Sequence, residues 1–122
     1  MTINIAEEYT ETPGARYISD GPYSGEDFRD NILEEKYKEC LKNKEQLIIN
    51  FDGGYGYSTG FLEECFGGLV RKGYNGDEML NTMIFISNEE PNLINDIIEY
   101  ITDAERIKRI TSEKGKQKIK EK

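Results

Sequence analysis

Gln46-Leu47-Ile48-Ile49-Asn50-Phe51-Asp52-Gly53-Gly54-Tyr55-Gly56-Tyr57-Ser58-Thr59-Gly60-Phe61-Leu62 is the stretch on which the fold turns. Its first seven residues are too short, and too continuously apolar at their centre, for a surface helix, so they read as a strand inside a sheet. Glycines then turn the chain. Ser58 or Thr59 stands where a helix needs a side-chain cap, and Phe61, Leu62, Cys65, Phe66, Leu69 and Val70 form one apolar stripe that fades near Gly73. Strand, glycine turn and capped amphipathic helix make the central unit of an α/β protein.

Toward the N-terminus, residues 2–6 alternate as a half-buried strand does, and residues 15–19 read as a second short strand after a Pro13-Gly14 turn. Residues 20–25 are turn chemistry. Ser24 with Asp27 imitates a capping box for a helix reaching about Lys42, whose Phe28, Ile32, Leu33, Tyr37, Cys40 and Leu41 are spaced to face a core. Toward the C-terminus, residues 77–81 suggest one helical turn and residues 82–87 another buried strand. A third helix, with Pro91 in its first turn, carries Leu93, Ile94, Ile97, Ile98 and Ile101 on its apolar face. The expected order is β-β-α-β-α-β-α, with parallel pairs and right-handed crossovers. Residues 1–105 form the expected domain, and residues 106–122 read as a Lys-rich, frayed tail.

The chain has 122 residues, 36% hydrophobic and 33% charged, with 8 Tyr and 5 Phe, a balance that suits one folded domain. No stretch has the length of a membrane span and the first ten residues lack signal-peptide order, so a cytoplasmic protein without membrane contact is expected. The two cysteines, Cys40 and Cys65, read as buried thiols rather than a disulfide framework or zinc site. The absence of histidine removes His-assisted Ser and Cys catalysis and His-ligated metals. No metal, cofactor or catalytic residue set is expected. Net charge is -8, with 8 Lys and Arg against 3 acids over residues 105–122 and 8 against 21 before them. So acidic a body argues against a phosphate backbone as partner.

Eleven of the 12 glycines fall between Gly14 and Gly76. Ligands of open α/β sheets meet the carboxyl ends of the strands, which makes residues 52–60 the first candidate site. A glycine loop entering a helix offers N–H groups and the positive end of the dipole to an anion. The spacing of Gly54, Gly56 and Gly60 fits neither a dinucleotide fingerprint nor a P-loop, and caps and turns explain the same residues. A second constellation is Arg16, Asp20, Ser24, Asp27 and Arg29, which can bind an anion or hold the loop by ion pairing. Tyr55, Tyr57 and Tyr74 read either as interface anchors or as lids on the core. Gly67-Gly68 inside a helix implies close approach of another backbone, in the fold or from a second chain. Adjacent Glu34-Glu35, Glu63-Glu64 and Glu89-Glu90 read as solvated faces, and Asp52 is the one acid placed for chemistry, though a turn role suits it better.

Tyr57-Ser58-Thr59-Gly60-Phe61-Leu62 resembles the Asp-Ser-Ser-Gly-Leu turn of STAS domains, the anti-anti-sigma-factor fold. Arg16-Tyr17, residues 19–25, Phe28-Arg29 and residues 61–71 resemble the STAS-like family of unknown function, over residues 3–104 in all. The resemblance implies a small mixed sheet of about four strands with three to four helices, and a non-enzymatic module that regulates a protein partner, such as a histidine-kinase-type ATPase. It implies phosphorylation at Ser58, with Thr59 beside it, although Tyr57 stands where the family has aspartate. Homo-oligomerisation is left open. The rival readings are a nucleotide- or anion-binding domain built on the glycine loop, and an enzyme using Asp52 with Ser58.

Overall fold

The computed structural model describes residues 1–120. Its elements are β1 (Thr2–Asn4), α1 (Ile5–Glu8), α2 (residues 25–43), β2 (Leu47–Asn50), α3 (residues 59–71), α4 (Gly76–Thr82), β3 (Met83–Ile86) and α5 (Asn92–Lys120). Both α2 and α3 contain a π turn, Arg29–Leu33 in the first and Glu63–Gly67 in the second.

The three strands lie in the order β1-β2-β3 and all pairs are parallel, with Ile3 beside Ile49 and Ile49 beside Phe85. The mixed sheet of about four strands is therefore replaced, among the described residues, by a parallel sheet of three. Residues 15–19 do not form a strand. Their backbone is drawn to the start of α2, where Gly25 N–H donates to Ala15 O (2.9 Å) and Glu26 N–H to Arg16 O (3.0 Å), and Ile18–Asp20 closes a 3-10 turn.

Ile3, Leu47, Ile49, Phe51 and Met83 enter the core with Phe28, Tyr37, Phe61, Phe66, Leu69 and Ile97 from the helices. The helices α2 and α3 pack on one another, and the right-handed crossovers usual between neighbouring parallel strands put both on one face of the sheet. Ile84, on the opposite pleat, is exposed. Gly25 permits the tight fit of α2 on α3, because a Cβ there would lie 2.5 Å from Phe61 O.

The helix α5 passes the expected boundary at residues 105/106 without a break. Apolar periodicity fades there, but Glu105 pairs with Lys108 (3.1 Å) and Arg109 (3.1 Å), Arg109 reaches Asp77 (2.7 Å), and Lys108 donates to Tyr74 O (2.8 Å). Pairs at i,i+3 and i,i+4 sustain a helix that has no apolar face to bury. Glu121 and Lys122, the end of the expected tail, lie outside the described residues. Among the described residues no helix is long and apolar enough to cross a membrane.

Candidate functional site

The starts of α2 and α3 are joined by a strap, residues 10–24, which crosses the end of the sheet where β2 finishes. Ser24 caps α2 as its spacing indicates, and of Ser58 and Thr59 it is Ser58 that caps α3. Ser24 Oγ accepts from Asp27 N–H (3.0 Å) and Ser58 Oγ from Phe61 N–H (3.0 Å). Ser58 does more, since its hydroxyl donates to Gly14 O of the strap at 2.7 Å. One oxygen therefore closes the first turn of α3 and ties down the strap. Tyr55 N–H donates to Glu11 O (2.9 Å), and a Cβ on Gly54 would lie 3.1 Å from that carbonyl, so the glycine loop is seated against the strap.

Around Ser58 the side chains divide. Tyr55 is 85% exposed, and Thr59 is exposed beside the cap. Tyr57 is half-buried and acts as a lid, its ring 5.4 Å from Phe51 and its hydroxyl donating to Phe51 O (3.0 Å). Burial first, then the acids Asp52, Glu90 and Glu89, push its phenol well up from the ordinary value. Tyr74 is likewise no free anchor. Its hydroxyl donates to Glu34 (2.8 Å), and burial and that carboxylate push it up to about 12. Gly56 holds φ at +119°, a conformation that favours glycine.

Asp52 turns away from this cluster toward the loop after β3. Its carboxylate accepts from Glu89 N–H (3.0 Å), Asn88 N–H (3.2 Å) and Asn88 Nδ2 (3.1 Å). These bonds, that of Glu89 first, hold the carboxyl below its ordinary value. Asp52 is a loop clasp, and no hydrogen bond joins it to Ser58.

The second constellation is rearranged. Asp20 accepts from Tyr17 N–H (3.1 Å), Ser24 is buried in its cap, and Asp27 receives the Tyr9 hydroxyl (2.7 Å). Arg16 and Arg29 are joined instead through Glu63 and Glu64, the pair expected to face solvent. Arg16 meets Glu63 at 2.8 Å and Glu64 at 3.6 Å. Arg29 grips Glu64 and Asp30, while Arg71 meets Glu63 at 2.8 Å and Glu64 at 3.5 Å. Lys72 extends the network from Asp30 (3.1 Å) to Glu34. The two π turns make the central contact, since they pack on one another and carry Arg29 and Glu64 respectively.

The network also explains the glycines within α3. A Cβ on Gly67 would overlap the Glu63 carboxylate, and one on Gly68 would lie 2.5 Å from Arg29 Nη1. Charged side chains, not another backbone, occupy that space. Gly60 has a similar task, with Arg16 lying across it at 3.3 Å from the position of a Cβ. Arg16 and Arg29 are thus committed to the chain's own carboxylates, Gly60 to the Arg16 side chain lying across it, and the first N–H groups of α2 to the chain's own carbonyls and cap.

A pH dependence follows. Asp30 is held below its ordinary 3.8 chiefly by the Arg29 hydrogen bond, against the effect of burial. For Glu63 burial pushes up from 4.5, but the bonds from Arg71 and Arg16 outweigh it and leave the carboxyl below that value. Groups depressed in the folded state stabilise it above their unfolded pKa, and this contribution is lost as pH falls through the folded values. With no histidine to titrate, the urea midpoint is expected to be flat between about pH 5 and 8 and to drop below about pH 4.5. A midpoint that already falls between pH 7 and 5 would contradict this assignment.

Helices packed on a parallel sheet, with a capped helix start and a strap at the carboxyl ends of the strands, define an α/β module whose accessible features lie in its loops. Residues 24–93 match the family described as a STAS-like domain of unknown function, DUF4325. The match covers more than half of the chain, and the protein belongs to that family. Comparison with curated proteins and with solved structures gives no match.

Proposed function

We propose that the protein is a regulatory module that binds a protein partner through the surface around the start of α3, and that Ser58 is the switch. The observation that carries this reading is the double role of Ser58 Oγ, which caps α3 through Phe61 N–H and holds Gly14 O. A phosphate there adds about -1.5 to -2 charges at the positive end of a helix. It also removes the hydroxyl hydrogen that the strap relies on, so the surface formed by Tyr55, Thr59 and the strap changes while the core does not. The partner class that fits is an ATPase of the histidine-kinase type, as the STAS resemblance implies. Family membership supports the architecture, and the geometry supports the choice of serine.

The test is capture of the tagged protein from its native cells as wild type and as Ser58→Asp, with co-purifying proteins and phosphosites identified by mass spectrometry. Aspartate is itself a good helix cap, so Ser58→Asp is expected to fold. The expected result is a partner retained by wild type and lost from the variant, with phosphate on Ser58 in a fraction of the wild-type protein. The same partner on both forms, with Ser58 unmodified, would remove the switch.

A further inference from the structure

Arg16 is held to the chain's acids by a single nitrogen. Among the described residues its side chain donates one hydrogen bond, from Nη1 to Glu63 Oε1 (2.8 Å), and the same nitrogen stands 3.6 Å from Glu64. Nε and Nη2 form the edge with which a guanidinium grips an oxyanion by two parallel bonds, and that edge is not used. Glu63, for its part, does not depend on Arg16. Arg71 holds the same carboxylate by two bonds, Nη1 to Oε2 (2.8 Å) and Nη2 to Oε1 (2.9 Å). Arg16 can therefore leave Glu63 without stranding a partly buried carboxylate.

The unused edge lies beside the proposed switch. Arg16 crosses Gly60, with Nε 3.4 Å and Nη2 3.8 Å from the position of a Cβ on that glycine. Gly60 follows Ser58 by two residues, and Gly14, whose carbonyl receives the Ser58 hydroxyl, precedes Arg16 by two on the strap. The hydroxyl and the guanidinium edge thus meet at the same two pieces of backbone, residues 14–16 of the strap and residues 58–60.

We infer that Arg16 is the arginine that receives a phosphate placed on Ser58, giving up Glu63 to Arg71 and closing its Nε–Nη2 edge on two phosphate oxygens. This deepens the regulatory reading and rests on Ser58 being the switch. In the transfer from a nucleoside triphosphate held by the partner, Ser58 Oγ bonds to the γ-phosphorus and the bond from that phosphorus to the departing diphosphate oxygen breaks. The hydroxyl proton passes to a base of the partner. The strap then loses its tie at Gly14 O and gains one at Arg16. It is re-seated rather than released, and Tyr17, whose ring centre is 6.0 Å from the Arg16 guanidinium, is carried with it.

The full chain with phosphoserine incorporated at position 58 during synthesis tests this, as wild type, Arg16→Gln and Arg16→Lys. Phosphorus NMR reads the second ionisation of the phosphate, whose ordinary pKa is about 6. Arg16 is expected to lower it by about one pH unit or more, since an opposite charge within about 4–6 Å favours the charged form. Arg16→Gln should reverse most of that fall. Arg16→Lys keeps a charge but not the fork, and should lie between the two. The Arg16 Nε–H resonance should shift when the phosphate is present. Without phosphate, Arg16→Gln should melt close to wild type, because Arg71 still holds Glu63. A phosphate pKa equal in wild type and Arg16→Gln, or a phosphorylated chain that no longer folds, would overturn the inference. Because the phosphate is built in, finding Ser58 unmodified in native cells would remove the switch without moving either resonance, so the two failures are read separately.

Discussion

Replacing Glu64 by leucine is expected to destabilise the protein by about 3 kcal/mol, the low end of what breaking a buried ion pair costs. Glu64 is 7% exposed and its main partner, Arg29, 8%. Leucine fills much of the same space, so the loss comes from the guanidinium. Arg29 keeps Asp30 at 2.8 Å but loses the carboxylate that it faces inside the protein. Arg16 and Arg71 are less affected, because Glu63 still receives both. The double variant Arg29→Met with Glu64→Leu removes the stranded charge as well as its partner and should recover most of the loss, as apolar replacements of buried ion pairs often do. Urea unfolding of the three proteins measures this. A loss under about 1 kcal/mol for Glu64→Leu would show that the pair is solvated, as the doublet's sequence suggests.

Gly25→Leu has a comparable expected effect by another route. The position where its Cβ would sit is 2.5 Å from Phe61 O and 3.2 Å from Glu64 Cβ, and a backbone carbonyl cannot swing aside as a flexible side chain does. The helices α2 and α3 must separate. Overpacking typically costs about 1–3 kcal/mol, and separation here also strains the bonds from Gly25 N–H to Ala15 O and from Cys65 Sγ to Gly25 O. A loss of about 3 kcal/mol is expected, with Gly25→Ala intermediate because it adds only the Cβ. As a control, leucine at Gly14, where no atom lies within 4 Å of a Cβ, should be nearly neutral. Equal losses at the two positions would place the effect in glycine's backbone freedom instead of in helix packing.

These two experiments bear on the functional reading because Gly25 and Glu64 hold α2 against α3, and Ser58 and the strap sit at the joined helix starts. A variant that loosens this joint perturbs the strap indirectly, so its effect on partner binding is interpretable only beside its stability. Ser58→Asp acts on the surface and leaves the joint intact.

A strand within residues 46–52, the Ser24 cap and the alternation of strands with helices were legible in the chain itself, while the second cap stayed open between Ser58 and Thr59. Apolar spacing and a side chain bonding three residues ahead are short-range properties, complete within one or two turns. Asp52 could be placed at the end of its strand for the same reason, but not its clasp, whose partners Asn88 and Glu89 lie 36 and 37 residues away. Only the tertiary structure decided the rest. Residues 15–19 have the composition of a strand but serve as a strap, because the nearest unsatisfied donors are the first N–H groups of α2. Glu63 and Glu64 look like one more solvated doublet, yet their partners lie 47 residues away at Arg16 and 35 away at Arg29. The one local trace of that network was Gly67-Gly68 within a helix. It signalled that space was needed there, but not that guanidinium and carboxylate groups would fill it. Periodicity and capping are written in neighbouring residues. Charge pairing across helices depends on which faces meet, and that is settled only when the helices pack on the sheet.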